Sequence, residues 1–154
     1  MSFDISFIGV VIGSIMASSV PLILAASGEL ITDRSGVLNL GVEGMMIIGA
    51  ISGFALMIVT GNLFIAIIGS MFAGIIISSI FGFLTQHLLT NHVATGLALT
   101  IFGIGMSAML GKNFVGIPGK EFPVFFDNLS ESIPFFGPIL FGHSIVFYFA
   151  FALP

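Results

Sequence analysis

Cysteine is absent from this chain, and charge is nearly so, with only 6% of residues Asp, Glu, Lys or Arg. The first absence excludes a disulfide framework, a thiolate metal site and a cysteine nucleophile, and leaves the compartment open. The second excludes a water-soluble surface, because ordinary soluble domains carry about 25% charged residues. Three Lys and Arg in the whole chain cannot build a basic face, so no nucleic-acid partner is expected. His87, His92 and His143 lack paired ligand spacing, and no metal site is expected. Catalytic signatures are missing as well. No HExxH, GxSxG, GxGxxG or GxxxxGK[ST] occurs, which removes the common zinc, serine-nucleophile, dinucleotide and P-loop chemistries. The chain is read as no enzyme, and any ATP that drives it is bound elsewhere.

What is present is hydrocarbon: 57% of the residues are hydrophobic and the mean hydropathy is +1.24. A spanning helix needs about 20 predominantly apolar residues, and the chain holds several such runs. The first covers residues 5–26. It is read as a retained span rather than a secretory signal, because Asp4 stands where a signal carries positive charge and the apolar run exceeds a typical signal core. Pro21 interrupts it, with Ser18 and Ser19 placed to re-satisfy the freed carbonyl. Gly9 and Gly13 form a GxxxG pair that lets another helix approach closely.

Residues 28–50, GELITDRSGVLNLGVEGMMIIGA, carry four of the ten ionisable side chains counted among Asp, Glu, Lys and Arg: Glu29, Asp33, Arg34 and Glu43. Polar groups that enter or border hydrocarbon usually face a bundle interior, an aqueous cavity or a transport path. Gly28 and Gly36 bracket ELITDRS, and the apolar pattern resumes at Val37 and runs to about residue 59. Its glycines and polar interruptions predict a broken or irregular helix, which a membrane accepts where the backbone is buried in protein or lines a cavity. Gly41, Met45, Gly49 and Gly53 recur every four residues on one narrow face.

Residues 63–84 form a third run after a turn at 60–62, with Ser70, Gly74, Ser78 and Gly82 spaced as a packing ladder. A polar link, TQHLLTN at 85–91, precedes a fourth run at 92–111, in which Gly103, Ser107 and Gly111 repeat the ladder. Residues 112–138 hold four of the six prolines and five charged residues. They are read as an extramembrane loop with a short interfacial helix at 125–132. Residues 139–154 are a last apolar run of sixteen, short of the roughly 20 needed to span, so a fifth helix cut off at Pro154 is expected. The predicted fold is all-α: a polytopic transmembrane helix bundle of about four complete spans plus a truncated fifth. It forms one transmembrane domain over 1–154, with the 112–138 loop inside it.

Glu43 is the sharpest single residue, six positions into the resumed apolar pattern, with Asn39 one turn earlier on the same face if the helix is regular. Two roles fit. Asn39 and Glu43 line or support a solute path, Asn as donor and acceptor and Glu as acceptor; or Glu43 is structural, pairing with Arg34 or capping a broken helix. Gly41, Gly44 and Gly49 permit the close or irregular backbone there. Glu29, Asp33 and Arg34 read as a solvated connection between spans. The Gly and Ser ladders read as helix packing.

Taken as a run, GELITDRSGVLNLGVEGMM resembles the signature after the first span of membrane permease subunits of bacterial ABC importers. The branch is the one assigned to nucleosides and simple sugars, within the branched-chain amino acid and ribose-type permease superfamily. Gly28, Glu29, Leu30, Asp33, Arg34 and every residue from 36 to 46 supply that signature. Asn91, Val93, Gly96, Leu97, Ala98 and Leu99 are similar to the family's NQVVSGLAL-like motif, and Leu110, Gly111, Lys112, Phe114, Val115 and Gly116 to its lead into the next loop. Ile133, Pro134, Gly137, Pro138, Leu140, Phe141 and Gly142 resemble its IPxLGPxLFG. His92 stands where the family usually has Gln, and Leu89 where a basic residue is common.

The resemblance covers the first half of a family member, and the family's coupling segment, with its GEN-like motif, falls after Pro154. It implies a multi-pass protein of the bacterial inner membrane that lines a path by alternating access in the lipid bilayer. The implied partners are a second permease subunit, a cytoplasmic ATP-binding subunit that hydrolyses ATP, and an extracytoplasmic substrate-binding protein; no cofactor is bound by this chain. It also places Arg34 and the 85–91 link in the cytoplasm, opposite to the two-to-one count of Lys and Arg. Two other classes fit the residues alone: a structural or assembly subunit that transports nothing, and an ion-coupled carrier with Glu43 as its ion site.

Overall fold

The computed structural model describes residues 5–119 and 145–152. Every regular element among them is helical: α1 (Ile5–Arg34), α2 (Val42–Thr60), α3 (Leu63–Gly82), α4 (His92–Gly111) and α5 (Ile145–Ala152). Four helices, Phe7–Arg34, Val42–Thr60, Leu63–His87 and His92–Phe114, are long and apolar enough to cross a membrane. The all-α polytopic expectation therefore holds, and α5 lies in the fifth apolar run. The remainder of that run, His143, the helix expected at 125–132 and most of the 112–138 loop lie outside the described residues.

The chain forms two compact units, Met1–Gly28 with Glu121–Pro154, and Glu29–Lys120. In the first, Gly9 and Gly13 are buried on α1 and Ala150 is buried on α5. Pro21 stands within α1, and the hydroxyls nearby back-bond to the helix: Ser14 to the carbonyl of Val11, Ser18 to that of Ser14 and Ser19 to that of Met16. The carbonyl that Pro21 would otherwise engage, on Ala17, is not their target, because the hydroxyl of a helical serine reaches its own third or fourth preceding carbonyl.

In the second unit α2 packs against both α3 and α4, which touch each other only slightly. The α2–α3 turn is made by Gly61, at φ +66°, whose N–H returns to the carbonyl of Met57, and by Asn62, whose side chain accepts the N–H of Phe64 at 2.9 Å. A β-carbon at Gly61 would meet the left-handed penalty that glycine avoids. Ile48, Ile77, Phe81 and Leu99 form the core, with Val37, Met45 and Ala73 packed around it. At the far end of α4, the ring of Phe114 stands edge-on to Phe54 at 6.2 Å.

Three boundaries differ from the pattern read from sequence. α1 runs eight residues past 26, so the connection read at Glu29, Asp33 and Arg34 is the end of a helix, with Asp33 and Arg34 exposed and Glu29 half-buried. α2 starts at Val42 rather than Val37, because Asn39 offers its side chain to the backbone in place of a helical bond. α3 passes without interruption into a π-helical turn, Phe83–His87, in which the N–H of Leu88 bonds the carbonyl of Phe83. Buried Thr85 holds that turn by donating to the carbonyl of Phe81 at 2.9 Å, and Thr90 closes the link onto α4 through the hydroxyl of Thr95 at 2.9 Å. At about 1.5 Å per residue α2 spans about 28 Å, close to the hydrocarbon thickness of about 30 Å. The break before α2 therefore sits at one end of the span, on the side of the 88–91 link.

Candidate functional site

The break between α1 and α2 is a built structure. Gly36, at φ +82°, ends α1: its N–H bonds the carbonyl of Asp33 at 2.9 Å, and the N–H of Val37 reaches back to Thr32 at 3.2 Å. This pair of bonds is the Schellman termination, which needs a left-handed residue and so favours glycine. Beyond it the intrahelical ladder is interrupted. Side chains supply replacements. Glu29, one and a half turns before the end of α1, accepts the N–H of Asn39 on its Oε1 at 3.1 Å, while the Thr32 hydroxyl donates to its Oε2 at 3.3 Å. Asn39 Oδ1 accepts the N–H of Gly41 at 2.9 Å, an Asx-type turn leading into α2, and its Nδ2 points to the sulfur of Met45 at 3.7 Å. Asn39 is 8% exposed, with its side-chain carbonyl already committed.

The same segment is docked on α4. Thr100 donates its hydroxyl to the carbonyl of Leu40 at 3.0 Å, and also to that of Gly96 at 3.2 Å. The approach is close because both sides are glycine. A β-carbon on Gly44 would stand 2.7 Å from the carbonyl oxygen of Leu99 and the Cα of Thr100. One on Gly103 would stand 2.7 Å from Gly44, and one on Gly96 would stand 2.9 Å from the backbone nitrogens of Leu40 and Gly41. Van der Waals contact forbids such distances. Gly41 is also enclosed: a β-carbon there would stand 3.1 Å from both Asn39 Oδ1 and the Leu99 side chain.

Glu43 lies in the first turn of α2 and is exposed, where a carboxyl group is favoured by the positive end of the helix dipole. Asn39 precedes the helix. The regular helical face that would pair the two does not exist; they are a buried turn residue and an exposed first-turn residue. Gly49 would meet only the carbonyl of Ser70, at 3.5 Å, and Gly53 the Ser70 side chain at 3.0 Å. A β-carbon on Gly111 would stand 3.3 Å from the Ile51 side chain. Gly74 and Gly82 have no atom within 4 Å of a built β-carbon, and Ser78 is exposed with its hydroxyl on the carbonyl of Ile75. Ser107 is half-buried.

Glu29, Gly96, Leu99 and Thr100 belong to the site and were not singled out for it by patterning. Gly96 and Gly103 are seven apart with Thr100 between them, a spacing that puts all three on neighbouring parts of one helical face. Glu29 stands out as a polar group of the 28–50 run and reads as part of a solvated connection; its partner, a backbone N–H ten residues on, carries no side-chain signal. Among the described residues no group of three His, Asp or Glu side chains gathers as metal ligands.

A family model described as the permease component of branched-chain amino acid transport systems matches residues 11–153. No curated protein and no solved structure matches the chain significantly.

Proposed function

Because this chain belongs to the family of permease components of branched-chain amino acid transport systems, we propose that it is a membrane subunit of an ATP-driven importer for nucleosides or simple sugars. The coarser part stands on the family and the four spans: it is a multi-pass membrane protein and a component of a membrane transport system. The finer part rests on residues 28–46, whose GVLNLGVEGMM run is similar to the nucleoside and sugar branch.

The observation that carries the mechanism is the built break between α1 and α2. Irregular backbone at a membrane edge persists where protein or an aqueous path covers it, and here it is fastened by Glu29, Asn39 and Thr100. Its far end presents Glu43 outward at the start of α2. In this reading Asn39 supports a gate by shaping the turn, and Glu43 is the group that meets the path. The chain supplies wall and gate; a cytoplasmic partner hydrolyses ATP, a second permease subunit completes the path, and an extracytoplasmic protein delivers the solute. The membrane is the bacterial inner membrane, with Arg34 on the cytoplasmic side.

Glu43→Gln in the intact transporter tests the lining role. Uptake of labelled uridine and ribose is expected to fall while the subunits still co-purify. Unchanged uptake of both removes Glu43 from the path.

A further inference from the structure

The broken segment is held from two sides by groups that are far apart in sequence. On one side Glu29 Oε1 accepts the N–H of Asn39. On the other, Thr100 donates to the carbonyl of Leu40. Between these two anchors the Asn39 side chain takes the N–H of Gly41, which is the N-cap of α2. The place where α2 begins is thus set by three consecutive residues, each with a fixed backbone group, and Glu43 follows two residues later. Glu29 itself is half-buried and belongs to the same compact unit as everything it holds.

We propose that Glu29 is a positioning residue for the path: through the N–H of Asn39 it fixes the start of α2, and with it the placement of Glu43. The role of Glu43 rests on the importer reading above; the fastening of the segment does not. What Glu29 contributes is an acceptor atom. Its second oxygen receives the Thr32 hydroxyl at 3.3 Å, but that hydroxyl also donates to the carbonyl of Glu29 at 2.8 Å, so the Oε2 contact is dispensable. A glutamine keeps the required carbonyl oxygen and an alanine does not. A role in surface charge would make the opposite demand, with glutamine as damaging as alanine.

The absence of cysteine makes the segment directly measurable. Leu40 is 42% exposed beside the bonds in question, so Leu40→Cys introduces the one thiol of residues 1–154 there, and its labelling in the intact transporter is read on the peptide that contains residue 40. The readout is its rate of reaction with a membrane-impermeant maleimide in native membranes. Adding Glu29→Ala is expected to raise that rate by roughly tenfold to a hundredfold, the change that follows from losing one hydrogen bond to a charged group. Adding Glu29→Gln gives a rate nearer to the parent than to the alanine variant. Adding Thr100→Val, which loosens the other anchor while leaving Glu29 in place, raises the rate as well. Equal rates in the parent and the alanine variant overturn the proposal, as does a glutamine variant that behaves like alanine. Should the alanine variant fail to insert, Glu29→Met, which keeps the side-chain length without the acceptor oxygen, decides in its place: a rate equal to the parent's overturns the proposal. The labelling needs no solute, so its outcome holds even if the chain proves not to be an importer subunit. Where uptake is measured, Glu29→Ala lowers maximal uptake as Glu43→Gln does, and Glu29→Gln restores it.

Discussion

Thr100, in the third turn of α4, donates its hydroxyl to the carbonyl of Leu40 at 3.0 Å across sixty residues of sequence. That carbonyl lies in non-helical backbone, so no intrahelical N–H offers itself, and in or near hydrocarbon an unpaired carbonyl is costly. Removing the hydroxyl while keeping the shape isolates the bond. Thr100→Val is expected to lower the stability of the purified transporter by about 1 kcal/mol, and Thr100→Ser to retain most of it. Thermal unfolding in detergent distinguishes the two, and equal melting temperatures for all three proteins contradict the bond's role.

The glycine contacts between α2 and α4 give a second prediction with an internal control. Gly44→Ala and Gly103→Ala each drive a methyl group into backbone 2.7 Å away, which a flexible side chain could evade but a helix cannot. Each is expected to destabilise by about 1–3 kcal/mol. Gly74→Ala enters open space and is expected to be neutral or stabilising by up to about 1 kcal/mol, since alanine is the better helix former. The comparison of melting temperatures tests docking against a general intolerance of alanine.

Gly36 terminates α1 at φ +82°. Gly36→Ala is expected to cost about 1–2 kcal/mol, the left-handed penalty of a residue with a β-carbon. Gly36→Asn should cost less, because asparagine tolerates that conformation. Parity between the two variants would show that the Schellman end is not what stops the helix.

Asn39→Ala strips the N–H of Gly41 of its acceptor inside buried surroundings. The expected cost is about 1–3 kcal/mol, the penalty of a buried donor left unsatisfied. Hydrogen exchange at the Gly41 amide is the local readout: acceleration in the variant is expected, and unchanged exchange would mean that another acceptor serves that N–H.

The number of spans and most of their limits were legible in the sequence, because hydrophobic length is a strong signal and the turn at Gly61 and Asn62 carries its own residues. α4 runs over His92–Gly111 as its apolar run does. The break before α2 was legible as a place and not as a geometry. Gly36 and Asn39 announce an interruption, yet only three dimensions show that the side-chain amide of Asn39 competes with the helix and moves its start to Val42. That competition also separates Asn39 from Glu43, which simple four-residue spacing had put together. The contacts of Thr100 and Glu29 were hidden for a plainer reason: their partners are backbone atoms, which every residue possesses, so no side-chain pairing in the sequence points to them.

The most direct test of the functional reading is uptake of labelled uridine, ribose and leucine by cells carrying the intact transporter, with and without the P-loop lysine of the ATP-binding subunit that the reading proposes. The expected result is uridine or ribose uptake that requires this chain, is lost with that lysine and survives a protonophore. Uptake that survives loss of the lysine but collapses with the proton gradient would contradict the ATP-driven importer, and uptake confined to leucine would contradict the nucleoside and sugar assignment.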